Sequence, residues 1–281
     1  SALGMSPLID PYDEDGNLKR TVNMGMIDDK WVYTRQSINA LGDSYINLNR
    51  AFSSYNNIFG ELKIPGVAGL KYRLNTGLNF RTSNNGYYEG QGVFDVNPTT
   101  MSNASISNSI STQWLIENLI TYDKTFAGKH TVNFVGLYSN ESYTGNSSRI
   151  ARNGITSDAF QFYNLGQSEE PITITPSEQD YTKSGLRSYM ARLMYSYDNR
   201  YFISGTVRSD GSSVLADGSK WVTYPAISAG WTISNESFMK DISWLSSLKL
   251  RAGYGETSNQ AVNPYATLGA LSTRPYNFGT T

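Results

Sequence analysis

Asp10, Asp13, Glu14, Asp15 and Gly16 stand close together near the start of the chain, in DPYDEDGNL. Clustered carboxylates beside a glycine suit a calcium loop, because a hard cation takes carboxylate and carbonyl oxygens. The EF-hand spacing fails. With Gly16 at the glycine position, the first ligand would be Pro11 and the last Val22. The stretch reads as a solvated turn, with a looser calcium loop as the alternative. GSSVLADGSK, 211–220, has a phosphate-loop flavour, but Ser219 intervenes between Gly218 and Lys220 and the glycines are too far apart.

His130 is the only histidine and cysteine is absent, so His clusters, thiolate metal sites and disulfides are excluded. His130 sits beside a turn without an evident nucleophile or orienting partner, and reads as a rim residue. No G-x-S-x-G elbow or H-E-x-x-H pair occurs. The expectation is a protein that is not an enzyme, with no cofactor and no metal.

The remaining chemistry is basic and amide: Lys71, Arg73, Asn75, Asn79, Arg81, Arg192, Arg208, Lys249 and Arg251. These residues recur at alternate positions, so the elements that hold them are strands. In GLKYRLNTGLNFR, 69–81, Leu70, Tyr72, Leu74, Thr76, Leu78 and Phe80 share one parity. Lys71, Arg73, Asn75, Asn79 and Arg81 share the other. That is an extended strand with one apolar and one polar face. Its length matters: soluble strands usually run about five or six residues, and a tilted membrane-spanning strand needs about 9–11.

The pattern continues along the chain. A strand of mixed parity covers 52–64, and others cover 111–124, 130–143, 187–197, 201–208, 221–233 and 248–254, about eight in all. Leu74, Leu78, Leu193, Ile203, Val207 and Leu250 are expected on one side of the sheet. Arg73, Asn75, Asn79, Arg192, Arg208 and Arg251 are expected on the other. Short connections at 65–69, 126–129 and 198–200 and a medium one at 235–246, with room for a helical turn, alternate with long ones at 82–110, 144–186 and 211–220. Short–long alternation suits a barrel with short turns at one rim and long loops at the other. Arg149, Arg152, Phe160, Phe162 and Tyr163 in the longest loop suit polar and stacking contacts with a partner or solute. Residues 1–51 read mainly as a long extracellular loop region, and 52–281 as the strand-bearing segment.

Composition agrees with strands at an interface. Twenty tyrosines and 25 glycines among 281 residues favour many strands and turns. The net charge of −1 gives no pull toward nucleic acid. Mean hydropathy is −0.41, and no run of about 18 apolar residues marks a membrane helix. Half of every barrel strand is polar, so a transmembrane β-barrel stays open. The start, SALGMSPLID, carries no signal-peptide pattern.

SYMARLMYSYDNRYFISGTVRSDGSS (188–213), KWVTYPAISAGWTISNESFM (220–239) and LKLRAGYGETSNQAVNPYATLG (248–269) resemble the barrel of the SusC/RagA family, the TonB-dependent outer-membrane transporters of Bacteroidetes. ENLITYDKTFAGKHTVNFVGLYSNE (117–141) and the GLKYR opening strand are similar to the same family, so the resemblance runs from about residue 50 to 270. It implies an all-β, antiparallel meander forming part of a transmembrane barrel, here open or incomplete, since such plugged barrels close at about 22 strands. The chain is therefore read as an internal barrel fragment. The resemblance further implies uptake of oligosaccharides or peptides, outer-membrane lipid around the barrel, a SusD-like surface lipoprotein, and a TonB complex reached through regions outside this chain. In that setting the basic and amide residues face the lumen. The other reading is a soluble, secreted β-sandwich module that binds glycans; its apolar faces would be buried between two sheets.

Overall fold

The computed structural model describes residues 38–171, 178–239, 244–259 and 261–269, with Asp10, 12–17, Lys19, 21–23, 30–32 and Ile242. Two short strands, β1 (Thr21–Asn23) and β2 (Lys30–Val32), pair as an antiparallel ribbon. Eight strands form a single sheet: β3 (Tyr45–Lys63), β4 (Leu70–Glu89), β5 (Asn103–Phe126), β6 (His130–Asn153), β7 (Gln179–Tyr197), β8 (Tyr201–Ser212), β9 (Trp221–Thr232) and β10 (Lys249–Gly255). Every neighbour in the sheet is also the neighbour in sequence. The fold is an antiparallel meander, as the pattern predicts. β3 and β10 are its edges, and no pairing joins them among the described residues. The helix among the described residues is all 3₁₀, in short turns at Ile38–Ser44, Leu165–Gln167, Ile233–Asn235 and Ser237–Met239 and at Glu178.

Tight turns set the register. Asp198 and Asn199 both take φ 52°, and Arg200 N donates to Tyr197 O at 2.9 Å. Two successive positive φ values match the twist of the flanking strands, and Asp and Asn tolerate them better than most residues. Successive turns are stitched together. Asp123 N donates to Gly69 O at 3.0 Å, Asp198 N to Lys129 O at 2.7 Å, and Thr232 N to Arg200 O at 2.7 Å. Gly69 is required there: its φ is 91°, and a Cβ would stand 1.9 Å from Asp123 O. The short connections thus share one end of their strands, and in a meander the longer ones close the opposite ends.

The strands run further than expected. β4 continues to Glu89, β5 begins at Asn103, β6 ends at Asn153 and β7 begins at Gln179. The long connections shrink to 90–102, 154–178 and 213–220, in place of 82–110, 144–186 and 211–220. The added segments, such as Asn103–Ser111 and Glu141–Asn153, are rich in Ser, Asn and Thr. Apart from a few core-facing residues such as Tyr88, Ala104 and Ile106, these segments are small and polar, so the alternation that marks a strand is weak there. β3 likewise begins at Tyr45, seven residues before the expected strand start at Phe52.

The chain divides into two compact units, and β3 to β7 each pass through both. The first holds 1–53, 81–111 and 145–181; the second holds 54–80, 112–144 and 182–281. The first unit carries the apolar core: Tyr88, Ala104, Ile155, Phe162 and Leu165 are buried together, with Ile46, Leu48, Ile106 and Phe160 packed on them. The second unit is inverted. Among its described residues the buried ones are mostly polar, namely Ser139, Ser188, Asp210, Ser212 and Glu236, beside Val214. Its large apolar residues are exposed, with Leu193 at 53%, Ile227 at 57% and Leu250 at 61%.

Candidate functional site

Two faces of the second unit and one loop cluster of the first hold the candidate residues. On β7 to β10 the pairing is explicit. Tyr195 lies opposite Ile203, Ile203 opposite Ala229, and Ala229 opposite Ala252. Leu193, Ile203, Val207 and Leu250 therefore share one face, and Arg192, Arg208, Lys249 and Arg251 the other. On β4, Leu74 and Leu78 are exposed on one parity, while Arg73, Asn75 and Asn79 occupy the other.

The polar face is a hydrogen-bonded ladder. Asn75 Nδ2 donates to Glu117 at 3.2 Å, Asn79 Nδ2 to Gln113 at 3.3 Å, and Gln113 Nε2 to Glu141 at 2.5 Å. Lys71 pairs with Glu61 at 3.7 Å, and the Arg73 guanidinium lies 4.1 Å from the Phe59 ring centroid while its Nε donates to Asn75 at 2.7 Å. Arg208 Nε donates to both Asp210 oxygens at 3.0 and 3.1 Å, and its Nη2 to Ser188 Oγ at 3.1 Å. Tyr224 donates its hydroxyl proton to the same carboxylate. Lys249 Nζ stands 3.7 Å from the Phe202 ring centroid. Arg192 and Arg251 form no ion pair among the described residues, and Arg81, in the first unit, is exposed. A recess of about 430 Å³ opens on the β7–β10 part of this face, lined by Met194, Phe202, Ser204, Ser228, Lys249 and Arg251 among others. Such a surface can hydrate or hydrogen-bond a polar solute; it holds no nucleophile–base pair of the kind covalent catalysis requires.

The apolar face carries two rows of aromatic rings. At the long-connection end of β6, β7 and β9, Tyr138, Tyr189 and Trp221 follow one another at centroid distances of 5.2 and 5.8 Å. At the short-turn end, Tyr197, Tyr201 and Trp231 stack at 6.4 and 6.4 Å, with His130 4.9 Å from Tyr197. His130 Nδ1 also lies 2.7 Å from the Tyr195 hydroxyl, so the lone histidine belongs to this row. Glu236 closes the row: its Oε1 accepts from the Tyr201 hydroxyl at 2.6 Å and from Trp231 Nε1 at 3.0 Å, and its Oε2 accepts from Arg200 at 3.0 Å. These hydrogen bonds, the Tyr201 bond foremost, hold the Glu236 carboxyl below the usual range despite some burial.

The loop candidates divide. Tyr163 is 68% exposed and Arg149 is exposed on β6, but Phe162 is buried in the apolar cluster and Phe160 leans on it. Arg152 is buried as well, with Nη1 donating to Glu178 at 3.2 Å. Packing thus occupies Phe162 and Arg152, which a partner would need to find at the surface. Asp158 anchors the loop by accepting from Ser44 Oγ and the Tyr88 hydroxyl, both at 2.6 Å. Burial and this bond push the Tyr88 hydroxyl pKa upward.

The sequence reading missed Ser188, Asp210, Tyr224, Glu236 and Asp158. Asp210 was recoverable, because it stands two residues from Arg208 and so on the same strand face. Glu236 carries no such signal, since only the fold of the connection after β9 brings it to Tyr201 and Trp231. The acidic stretch near the start forms a turn: Asp13 Oδ1 accepts from the backbone of Asp15 and Asn17 at 3.0 and 2.7 Å. No cluster of metal-ligating side chains occurs among the described residues.

No protein-family model matches the chain. It is 37% identical over 169 residues to the TonB-dependent receptor P26 of Formosa agariphila, a stretch covering 60% of this chain and 17% of that receptor. It is 29% identical over 236 residues to the TonB-dependent receptor P39 of the same organism, covering 84% and 22%. Against the TonB-dependent receptor SusC of Bacteroides thetaiotaomicron it is 46% identical over 81 residues, covering 29% and 8%. The chain therefore spans only about a fifth of the length of such receptors. Among solved structures, the RagAB peptide transporter superposes with a TM-score of 0.79 at 18% identity, over 95% of this chain and 28% of that one. That likeness shows a shared fold.

Proposed function

We propose that this SusC/RagA-like chain forms part of the wall of a TonB-dependent outer-membrane transporter. The receptors it resembles are outer-membrane β-barrel proteins. In this reading the face bearing Leu74, Leu193, Ile203 and Leu250 meets lipid. Lys71, Arg73, Asn75, Asn79, Arg81, Arg192, Arg208, Lys249 and Arg251 line the interior. Residues 52–281 supply the wall, and 1–51 form mainly an outer loop region that feeds β3.

The observation that carries this reading is the inverted second unit, apolar outside and polar where buried, bounded by two aromatic rows. The spacing of the rows fits a bilayer. Trp221 and Trp231 are ten residues apart on β9. At about 3.3 Å per residue that is roughly 33 Å along the strand, or about 25 Å of height at a tilt near 40°. Outer-membrane barrels carry an apolar band about 25 Å tall between aromatic girdles. A soluble sandwich would bury this face between two sheets, whereas its large apolar residues are exposed.

The cargo is an oligosaccharide or a peptide, drawn along the polar ladder. A SusD-like lipoprotein serves as the surface partner, and the TonB complex acts through parts of the transporter outside this chain. The names of the relatives support transport over enzymatic activity. The test is a pair of single-cysteine variants, Ile227→Cys and Ser228→Cys, in the intact transporter, bimane-labelled and reconstituted in phospholipid vesicles. The label at 227 is expected to lose emission to deep doxyl lipids, and the label at 228 to an aqueous quencher. The reverse result, or equal aqueous quenching at both, rejects the assignment of faces.

A further inference from the structure

The connection between β9 and β10 is not a plain turn. After Trp231 the chain makes two successive 3₁₀ turns, Ile233–Asn235 and Ser237–Met239. Glu236 between them is buried, and its carboxylate is bonded to Tyr201 and Trp231. Both rings belong to the apolar face of the sheet, so the carboxylate draws the second 3₁₀ turn to that side of the strand ends and away from the polar face. Asn235 Nδ2 fixes the same segment to the preceding hairpin by donating to Asn199 O at 3.0 Å. Arg200 bridges Asp198 at 2.6 Å and Glu236 at 3.0 Å, so these three charges are paired with one another.

The Glu236 carboxylate is thus turned inward while the large aromatic side chains described in the connection are not covered. Phe238 is 64% exposed and Trp244 is 83% exposed, the highest value among the large apolar residues described. At the same end of the strands, four strands along the sheet from β9, Phe126 is 42% exposed, with Lys124 Nζ 5.2 Å from its ring centroid. Exposed aromatic rings at the ends of strands with an apolar face match the headgroup layer of a bilayer better than bulk water.

We propose that the turn Ser237–Met239, together with Trp244, is an interfacial foot, with Phe238 and Trp244 immersed in the headgroup and upper acyl region of a phospholipid leaflet. It extends the Tyr197–Tyr201–Trp231 row beyond the strands. Glu236 acts as the latch that holds the foot against the lipid side. This inference rests on the membrane reading above.

The experiment uses the intact transporter in phosphatidylcholine–phosphatidylglycerol vesicles, in a background free of other cysteines. Phe238→Cys, Trp244→Cys and Ile227→Cys are each labelled with bimane and exposed to lipids carrying doxyl near the headgroup or deep in the chain, and to aqueous iodide. The labels at 238 and 244 are expected to lose emission to shallow doxyl, and to be spared by deep doxyl and iodide. Adding Glu236→Ala to either variant is expected to shift its label toward iodide quenching. If 227 responds to deep doxyl while 238 and 244 respond only to iodide, the foot is rejected and the membrane reading stands. If 238 and 244 are shielded from both iodide and doxyl, a protein partner covers them and the lipid assignment is overturned. If 227 also fails to respond to doxyl lipid, the membrane reading itself falls, and the foot with it.

Discussion

Glu236 is the residue whose chemistry most directly reports the architecture, because one carboxylate serves Tyr201, Trp231 and Arg200. Its pKa is lowered, by the Tyr201 bond first and then by Trp231 and Arg200. A depressed carboxylate stabilises the fold above its ordinary pKa, and that contribution is lost as pH falls through the depressed value. Tyrosine and tryptophan emission from the short-turn row is therefore expected to stay constant near neutrality and change only below the usual glutamate range. Glu236→Gln is expected to remove that acid transition, and an unchanged transition in the variant would assign it to another group. A second residue-scale constraint lies in the first unit. A Cβ on Gly86 would stand 2.3, 2.4 and 2.6 Å from three Phe162 ring atoms. Gly86→Ala is expected to cost about 1–3 kcal/mol through overpacking. In a Phe162→Ala background the same change is expected to cost little, because the ring it strikes is gone. Protease nicking within 154–178 reads both effects, and equal cost in the two backgrounds would show that Phe162 does not need the glycine.

At the scale of the strand, two adjacent residues should respond oppositely to the same substitution. Leu74 is exposed on the apolar face of β4, and Asn75 sits in the polar ladder beside Arg73 and Glu117. If the apolar face meets lipid, Leu74→Arg near mid-membrane is expected to cost about 2–4 kcal/mol, since a guanidinium loses its hydration there. Asn75→Arg is expected to cost far less, because Glu117 and solvent can compensate the new charge. Reversible unfolding of the intact transporter in lipid measures the pair, and equal costs would remove the basis for the assignment. The same alternation explains how the strands can be so long. Over 112–126 and 130–144 one parity is apolar. The remaining parts of β5 and β6 are held by amide and hydroxyl pairs such as Ser83 with Ser109 at 2.7 Å and Asn103 with Asn153 at 3.0 Å.

At the scale of the whole molecule, the meander turns connection length into orientation. Short turns are stitched along one end of the strands, and 90–102, 154–178 and 213–220 close the other ends. Outer-membrane barrels keep their periplasmic turns short, so the longer connections are expected outside. Protease added to intact cells should nick 154–178 and spare 198–200; nicking of 154–178 from the periplasmic side alone would invert the orientation. The long connection also tests partner recognition. Excising it would remove Ile155, Phe162 and Leu165 from their cluster, so a lost function would be ambiguous. Tyr163→Ala keeps every buried member of the cluster and removes an exposed ring that touches it at Phe162, 4.2 Å between centroids. If the loop meets solute or a lipoprotein, the variant is expected to assemble normally and to take up solute more weakly. Unchanged uptake with unchanged lipoprotein retention would leave Tyr163 without a contact role.

What the sequence determined by itself follows from period-two parity. Leu70 to Phe80, Tyr189 to Tyr197 and Trp221 to Trp231 each show which residues share a face, because the backbone of an extended strand forces alternation. Antiparallel order and the short turns at 126–129 and 198–200 were legible for the same reason, with Gly, Asp and Asn marking where the chain reverses. Parity fades where a strand is mostly small and polar residues. Hence the outer parts of β4 to β7 read as loops, although backbone hydrogen bonding and side-chain pairs carry them on as strands. Burial was equally out of reach. Phe162 and Arg152 look like surface contacts in a polar loop, and only the approach of Tyr88, Ile155 and Leu165 to Phe162, and of Glu178 to Arg152, turns them inward. The closure of Glu236 on Tyr201 and Trp231 depends on two segments distant in sequence, the start of β8 and the end of β9 with its following turn, meeting at one corner. The tertiary structure decided it, because a hydrogen bond depends on position in space and leaves no periodic trace along a chain.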